Sequence, residues 1–153
     1  MCTKVDTWQI LKKDKKVYKI VQIKYYPEQY ISSVCNYYHW HKGINKAKKG
    51  IKRKRNLLEK WRKEGIVQEG FFHFITNKKL AMKSIRHDDC MRYDEFLILE
   101  VILKKGTKIG IGHNWLCSEI LNGKKAIVAK SCKVMGILPE FHKITAKKCN
   151  KLL

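Results

Sequence analysis

An apolar run near the middle of the chain, Glu95 to Lys105, constrains the fold more than any other feature of the sequence. The run reads EFLILEVILKK, has the length of a strand and is rich in β-branched residues. Continuous apolar runs of this kind are typical of strands that are buried on both faces. The sequence therefore predicts a sheet in which this segment is a central strand.

Two other segments also predict strands. Residues 17–26 (VYKIVQIKYY) mix β-branched and aromatic side chains, and Pro27 ends the run. Residues 71–76 (FFHFIT) form an aromatic strand, and Thr76 or Asn77 has the side-chain oxygen that caps a following helix. A strand that leads directly into a short helix is thus expected here.

The remaining segments predict a short helix or irregular segment, a turn and further strands. Residues 27–43 indicate a short helix or an irregular aromatic segment, and the glycines of residues 106–112 (GTKIGIG) indicate a turn. Residues 126–138 indicate one bulged strand or two short strands. The resulting order of elements, βααβαβββ, favours the α+β class: one compact domain over residues 1–153, with a mixed or mainly antiparallel sheet and helices packed on one side.

Composition is compatible with a folded protein of the cytoplasm. A chain of 153 residues can bury a core without metal or disulfide bonds. Its six cysteines form no CxxC pair, which favours free thiols in a reducing compartment. Because no signal sequence opens the chain and no apolar run has membrane-spanning length, we expect a cytoplasmic protein without a membrane partner.

The charge is the most unusual property of the composition. The chain has 34 Lys and Arg against 13 Asp and Glu, a formal net charge of +21. Such an excess attracts polyanions, of which nucleic acid is the commonest. Only five of the basic residues are Arg, so the composition favours contacts with a phosphate backbone over reading of base edges. A lysine-rich protein that uses Lys simply as a solvated residue is the alternative.

The basic residues are most concentrated in residues 42–65, which we predict to form an amphipathic helix. Between Lys42 and Lys63 there are eleven Lys or Arg and a single acid, Glu59. Ile44, Ala47, Ile51, Leu58 and Trp61 fall on one side of that helix. The residues predicted to bind nucleic acid are Lys46, Lys48, Lys49, Lys52, Arg53, Arg55, Lys60, Trp61, Arg62 and Lys63.

The segment CNYYHWH contains three possible metal ligands. Cys35 and His39 are four residues apart, which on a helix places them on one face, and His41 is close by. Paired knuckle motifs typical of structural zinc sites do not occur in the sequence. We therefore predict neither a metal nor a cofactor and leave metal binding by these three residues open.

Catalysis is the second class of function that the sequence leaves open. Glu100 interrupts the apolar run, where burial would raise its pKa, and His73 stands in the aromatic strand. A small transferase or hydrolase that uses His73 and Glu100 is one alternative to the binding module. A protein-binding inhibitor of a host complex is another. A solvated glutamate and a hydrogen-bonded core histidine are the simpler interpretation of the two residues.

Several motifs together resemble a loose group of small proteins from phages and bacteria. They are, in order, MCTKVDT, VYKIVQIK, GFFHFITNKKLA, EFLILEVILKKGTKIGIG and KKAIVAKSCKV. The resemblance covers about two-thirds of the chain. It implies a compact mixed α+β domain and is compatible with a mobile-element origin, but it transfers no catalytic residue to this chain.

Overall fold

The computed structural model describes residues 2–24, 30–33, 38–47, 65–67, 70–87, 96–115, 119–138 and 150–153. In these ranges the secondary structure is β-rich. Ten strands and one α-helix occur in the order β1 (Cys2–Ile10), β2 (Lys15–Lys24), β3 (Tyr30–Ser33), β4 (Gly43–Lys46), β5 (Ile66–Val67), β6 (Phe72–Ile75), α1 (Lys78–His87), β7 (Phe96–Leu103), β8 (Lys108–Trp115), β9 (Lys125–Ala129) and β10 (Ser131–Ile137). A single 3₁₀ turn, Asn150–Leu152, follows.

The ten strands form one sheet. Its order is β4-β10-β7-β2-β6-β9-β8-β1-β5, and β3 pairs with β2 outside this path. All of the pairings between the described strands are antiparallel. The apolar run of β7 lies in the interior of the sheet, between β10 and β2, where Leu99 pairs with Lys19 on one side and with Ile137 on the other.

The two faces of the sheet bury two separate apolar clusters. Side chains from β2, β6, β7, β8, β9 and β10 meet in the larger cluster, which includes Val17, Phe74, Leu99 and Ile127. Successive residues of a strand point to opposite faces. Ile98 of β7 therefore belongs to the smaller cluster on the opposite face.

Helix α1 covers the smaller cluster. The Asn77 side-chain oxygen accepts a hydrogen bond from the Leu80 amide at 3.2 Å, which caps the first turn of the helix. Ala81 and Ile85 lie on the buried side of the helix and pack in this cluster. In the part of the chain that the structure describes, no helix is both long and apolar enough to cross a membrane.

Strand β1 passes unusually close to β8. A Cβ atom built on Gly112 would overlap the carbonyl oxygen of Lys4 and would lie 2.8 Å from the Cα of Val5. The pairing of β1 with β8 shifts register between Val5 and Thr7, as in a β-bulge. Glycine at position 112 is thus required by the approach of another backbone, and the bulge bends β1 at the same place.

The predicted α+β class is wrong, because most of the described structure is antiparallel sheet and α1 is the one α-helix within it. Residues 106–112, interpreted as a turn, contain the start of β8. Residues 27–43, interpreted as a short helix or an irregular aromatic segment, contain strand β3. Glycines in residues 106–112 and the aromatic, polar character of residues 27–43 concealed the strands. β8 pairs with the distant strand β1, whereas β3 pairs with the preceding strand β2.

The predicted basic helix over residues 42–65 also needs correction. Its first residues, Gly43–Lys46, form strand β4, which pairs with β10 at the edge of the sheet. Gly43 has a φ of 92°, a conformation that suits glycine and does not belong to a helix. Residues 48–64 of the predicted helix lie outside the described residues.

We predict that Gly112→Ala strongly destabilises the fold, since the added methyl group meets backbone atoms that cannot rotate away. The free energy of unfolding measured in urea should fall by about 3 kcal/mol or more. Gly70→Ala is the control: Gly70 has a φ of 73° with no atom within 4 Å of the built Cβ. That variant should lose only about 1 kcal/mol, the cost of its backbone conformation. Similar losses in the two variants would contradict the close approach of β1.

Cys132 generates a second prediction. This thiol is buried at 4% exposure in β10, and burial raises its pKa to about 12 from 9.0. Because the unfolded chain releases the thiol proton first, the stabilisation is present below pH 9 and is lost as the pH rises toward 12. Alkylation followed by peptide mapping should leave Cys132 unmodified in the native protein and modify it after denaturation. In Cys132→Ala the free energy of unfolding should fall less steeply between pH 9 and pH 12 than in the wild type. An equally steep fall would show that the Cys132 thiol is not its cause.

Candidate nucleic-acid interface

A groove with aromatic and basic walls opens where several turns of the sheet meet. We call it the Trp8–Phe71 groove. It is lined by Trp8, Phe71, Lys105, Gly106, Thr107, Lys108, Lys130 and Ser131, and its volume is about 640 Å³. These residues come from β1, the residue before β6, the β7–β8 turn with the first residue of β8, and the β9–β10 turn with the first residue of β10, so the sheet topology brings together four distant parts of the sequence.

Two aromatic rings form the apolar part of the groove. The ring centroids of Trp8 and Phe71 are 5.3 Å apart and the ring planes are inclined by 51°. Trp8 is 44% exposed, whereas Trp40 is only 2% exposed and packs against Phe72 in the larger core cluster. Trp8 therefore presents an aromatic surface to solvent that the core does not use.

Lysine ammonium groups lie over both rings. The Nζ of Lys108 is 5.8 Å from the centroid of Trp8, and the Nζ of Lys130 is 5.4 Å from the centroid of Phe71. Both distances are in the range of cation–π contacts. Lys105 adds a third exposed ammonium, and none of the eight lining residues is acidic. The groove thus offers π-faces and positive charge at the same place.

Asp14 fixes the β7–β8 turn that forms one wall. Its carboxylate accepts a hydrogen bond from the Lys105 amide at 2.8 Å and one from the Lys104 ammonium at 2.6 Å. The Lys104 hydrogen bond, followed by the Lys105 amide, lowers the pKa of Asp14. Two backbone hydrogen bonds join the same turn to the end of β1. The Gly106 amide donates to the Leu11 carbonyl, and the Leu11 amide donates to the Thr107 carbonyl.

One of the predicted nucleic-acid-binding residues is described, and it lies beside the groove. Lys46 is exposed in β4, and its Cα partner is Ser131, which lines the groove. The amide of the next residue, Ala47, donates to the carbonyl of Lys130 at 2.7 Å. The other predicted residues lie outside the described ranges: Lys48, Lys49, Lys52, Arg53, Arg55, Lys60, Trp61, Arg62 and Lys63.

The basic surplus extends well beyond the predicted segment. Of the 34 Lys and Arg, 21 lie in the described ranges, which hold only 4 of the 13 Asp and Glu. The described residues therefore carry a net charge of +17, the difference between 21 and 4. The described part of the chain is therefore strongly basic as a whole.

The structure gives the two candidate catalytic residues separate partners. His73 is 3% exposed in β6, and its Nδ1 lies 2.8 Å from the Oγ1 of Thr3. Glu100 forms an ion pair with Lys16 at 3.1 Å. Tyr18 of β2, which pairs with Glu100 on one side and with Ile75 of β6 on the other, stands between the two strands. Neither His73 nor Glu100 lines the groove.

The candidate metal ligands are only partly described. His39 and His41 are exposed, and the Nε2 of His41 lies 2.9 Å from the carbonyl of Ile44. Cys35 lies outside the described residues. Among the residues that are described, no group of three or more His, Cys, Asp or Glu has the arrangement of a metal site.

The sequence interpretation missed Trp8 and Phe71 as a pair. Phe71 was assigned to an aromatic strand and Trp8 to no element. One signal in the sequence was Trp8 itself, which stands between polar residues in VDTWQI. A large aromatic side chain on an exposed strand can indicate a binding surface. Nothing local indicates that the two rings meet, because their contact depends on the order of the strands.

Comparisons of this chain with protein-family models, with curated proteins and with solved structures found no match. The geometry of the chain itself therefore carries the functional argument.

We predict that Asp14→Ala loosens the wall of the groove. Amide hydrogen exchange measured by NMR at neutral pH should become faster at Lys105, because the variant removes its acceptor. In the wild type the protection should persist at neutral pH and decline as the pH falls through the lowered pKa of Asp14. Asp6→Ala, which removes the same charge from β1, should leave exchange at Lys105 unchanged. Unchanged exchange in Asp14→Ala would show that the backbone bonds alone hold the turn.

Proposed function

We propose that the protein is a non-enzymatic module of the cytoplasm that binds a polyanion, RNA or DNA, without strong sequence preference. The observation that carries this proposal is the Trp8–Phe71 groove, where exposed lysines surround a solvent-facing aromatic surface. Positive charge attracts phosphates, and π-faces accept bases. This combination suits nucleic acid better than it suits a simple inorganic anion.

The charge count supports the same proposal. Thirteen acids can neutralise the charge of at most 13 of the 34 basic side chains, which leaves the formal net charge of +21. A solvated surface does not need so large an excess of one sign. Lysines outnumber arginines, which favours contacts with the phosphate backbone and weak dependence on sequence.

We assign the main phosphate contacts to the segment Lys46 to Lys63, whose first residue, Lys46, lies beside the groove. The support is the density of basic residues in this segment and the pairing of Lys46 with Ser131 at the groove. The cytoplasmic location that we propose is supported by the absence of any CxxC pair among the six cysteines, which favours free thiols in a reducing compartment.

Salt titration of binding tests this function. Fluorescence anisotropy of a labelled mixed-sequence oligonucleotide should give a log affinity that falls linearly with log salt. Reversal of charge at Lys52, Arg53, Arg55 and Arg62 should weaken binding and reduce the slope by about 0.7 to 0.9 for each residue that contacts a phosphate.

Reversal of four C-terminal lysines, Lys143, Lys147, Lys148 and Lys151, is the matched control because it changes the net charge equally. It should have a much smaller effect than the first variant. Equal losses in both variants would reject the assigned segment, and binding that does not respond to salt would reject the polyanion function itself.

A further inference from the structure

We propose that the Trp8–Phe71 groove binds an unpaired base of single-stranded nucleic acid, which stacks on Trp8 while adjacent phosphates contact Lys105, Lys108 and Lys130. This inference rests on the proposed function and adds the form of the ligand to it. The first support is exposure: a tryptophan that is 44% exposed in a paired strand leaves a large π-face in water.

The distance between the two rings decides how a base is held. A base inserted between two rings needs a separation of about 7 Å, twice the ~3.5 Å contact distance of carbon atoms. The Trp8 and Phe71 centroids are only 5.3 Å apart, so the rings already contact each other. A base therefore does not insert between the two rings and stacks on the exposed surface of Trp8.

The position of Lys108 is compatible with this arrangement. Its ammonium lies over the Trp8 ring at 5.8 Å, on a flexible and exposed side chain. An arriving base displaces the ammonium from the ring, and the phosphate of the same nucleotide provides a new partner for it. The ammonium of Lys130 lies 5.4 Å from the centroid of Phe71. From this position it can contact the phosphate of a neighbouring nucleotide.

Stacking on Trp8 also discriminates between single-stranded and double-stranded nucleic acid. In a duplex each base is stacked on both faces and paired at its edge, so no face is open to Trp8. A duplex can still contact the lysines through its phosphates. Since every base has a π-face, the groove accepts RNA or DNA of any sequence provided that the base is unpaired.

The test compares single-stranded DNA, single-stranded RNA and a duplex of the same sequence, each measured with wild type and Trp8→Ala. Loss of one base stack should weaken binding of both single strands about 5- to 150-fold. Binding of the duplex should change less than about twofold. Trp8→Phe should keep most of the affinity for single strands, and circular dichroism should show that the variants are folded.

Ile10→Ala is the matched control. Ile10 is an apolar residue of the same strand, 64% exposed, that does not line the groove. Its removal should leave all three affinities unchanged. As a readout independent of stability, single-stranded DNA should quench the tryptophan fluorescence of the wild type, and this quenching should be smaller in Trp8→Phe.

The outcomes separate this inference from the function on which it rests. Salt-dependent binding of single strands that is the same in wild type and Trp8→Ala overturns the stacking site and leaves the polyanion function intact. Equal losses for single strands and duplex also overturn it. If polyglutamate binds as tightly as the oligonucleotides and with the same dependence on Trp8, the groove recognises an acidic polypeptide and the inference is overturned. If the protein binds none of these probes, both proposals are rejected.

Discussion

The close approach of β1 to the glycines of β8 is the constraint on which the site depends. In the sheet order, β8 and β9 separate β1 from β6, and three steps of about 4.8 Å would place the strands ~14 Å apart. Nevertheless Thr3 contacts His73 at 2.8 Å, and the rings of Trp8 and Phe71 meet at 5.3 Å. The β1 backbone, bent at the bulge between Val5 and Thr7, passes close to Gly112, and this bend is compatible with both contacts. Glycine at position 112 makes room for that backbone, so the core geometry and the groove have a common origin.

The energies at the groove favour exchange of partners over a permanently closed site. An exposed cation–π contact such as Lys108 with Trp8 contributes about 0.5–1 kcal/mol, whereas stacking of a base on an aromatic residue contributes about 1–3 kcal/mol. The base therefore displaces the ammonium, which then binds a phosphate. The turn itself does not need to reorganise, because Asp14 and the backbone bonds to Leu11 hold it in place. A fixed turn lowers the entropic cost of binding, because its backbone needs no further ordering.

Local patterns predicted those parts of the fold that local interactions determine. The run of β7, the β-branched strand β2 and the strand that leads into the Asn77-capped helix all follow from neighbouring residues. Strands β1 and β8 did not follow in this way. The bulge between Val5 and Thr7 breaks the period-two alternation of β1, and glycines within β8 suggest a turn when the strand that passes over them is unknown. Without those strands, the balance between sheet and helix was misjudged and the class was wrong.

The two parts of the proposed interface differ in what a sequence can show about them. A charge surplus is visible in the composition, and it acts over a Debye length of about 10 Å, so its exact positions matter little for attraction. Stacking acts only at contact and needs Trp8 beside Phe71, which the register of four strands determines. The lysines then set the rate of encounter and the response to salt, while the aromatic pair discriminates between unpaired and paired bases. Salt weakens the first contribution for single strands and for a duplex alike and hardly affects the second, so the preference that stacking gives to single strands should persist as the ionic strength rises while both affinities fall.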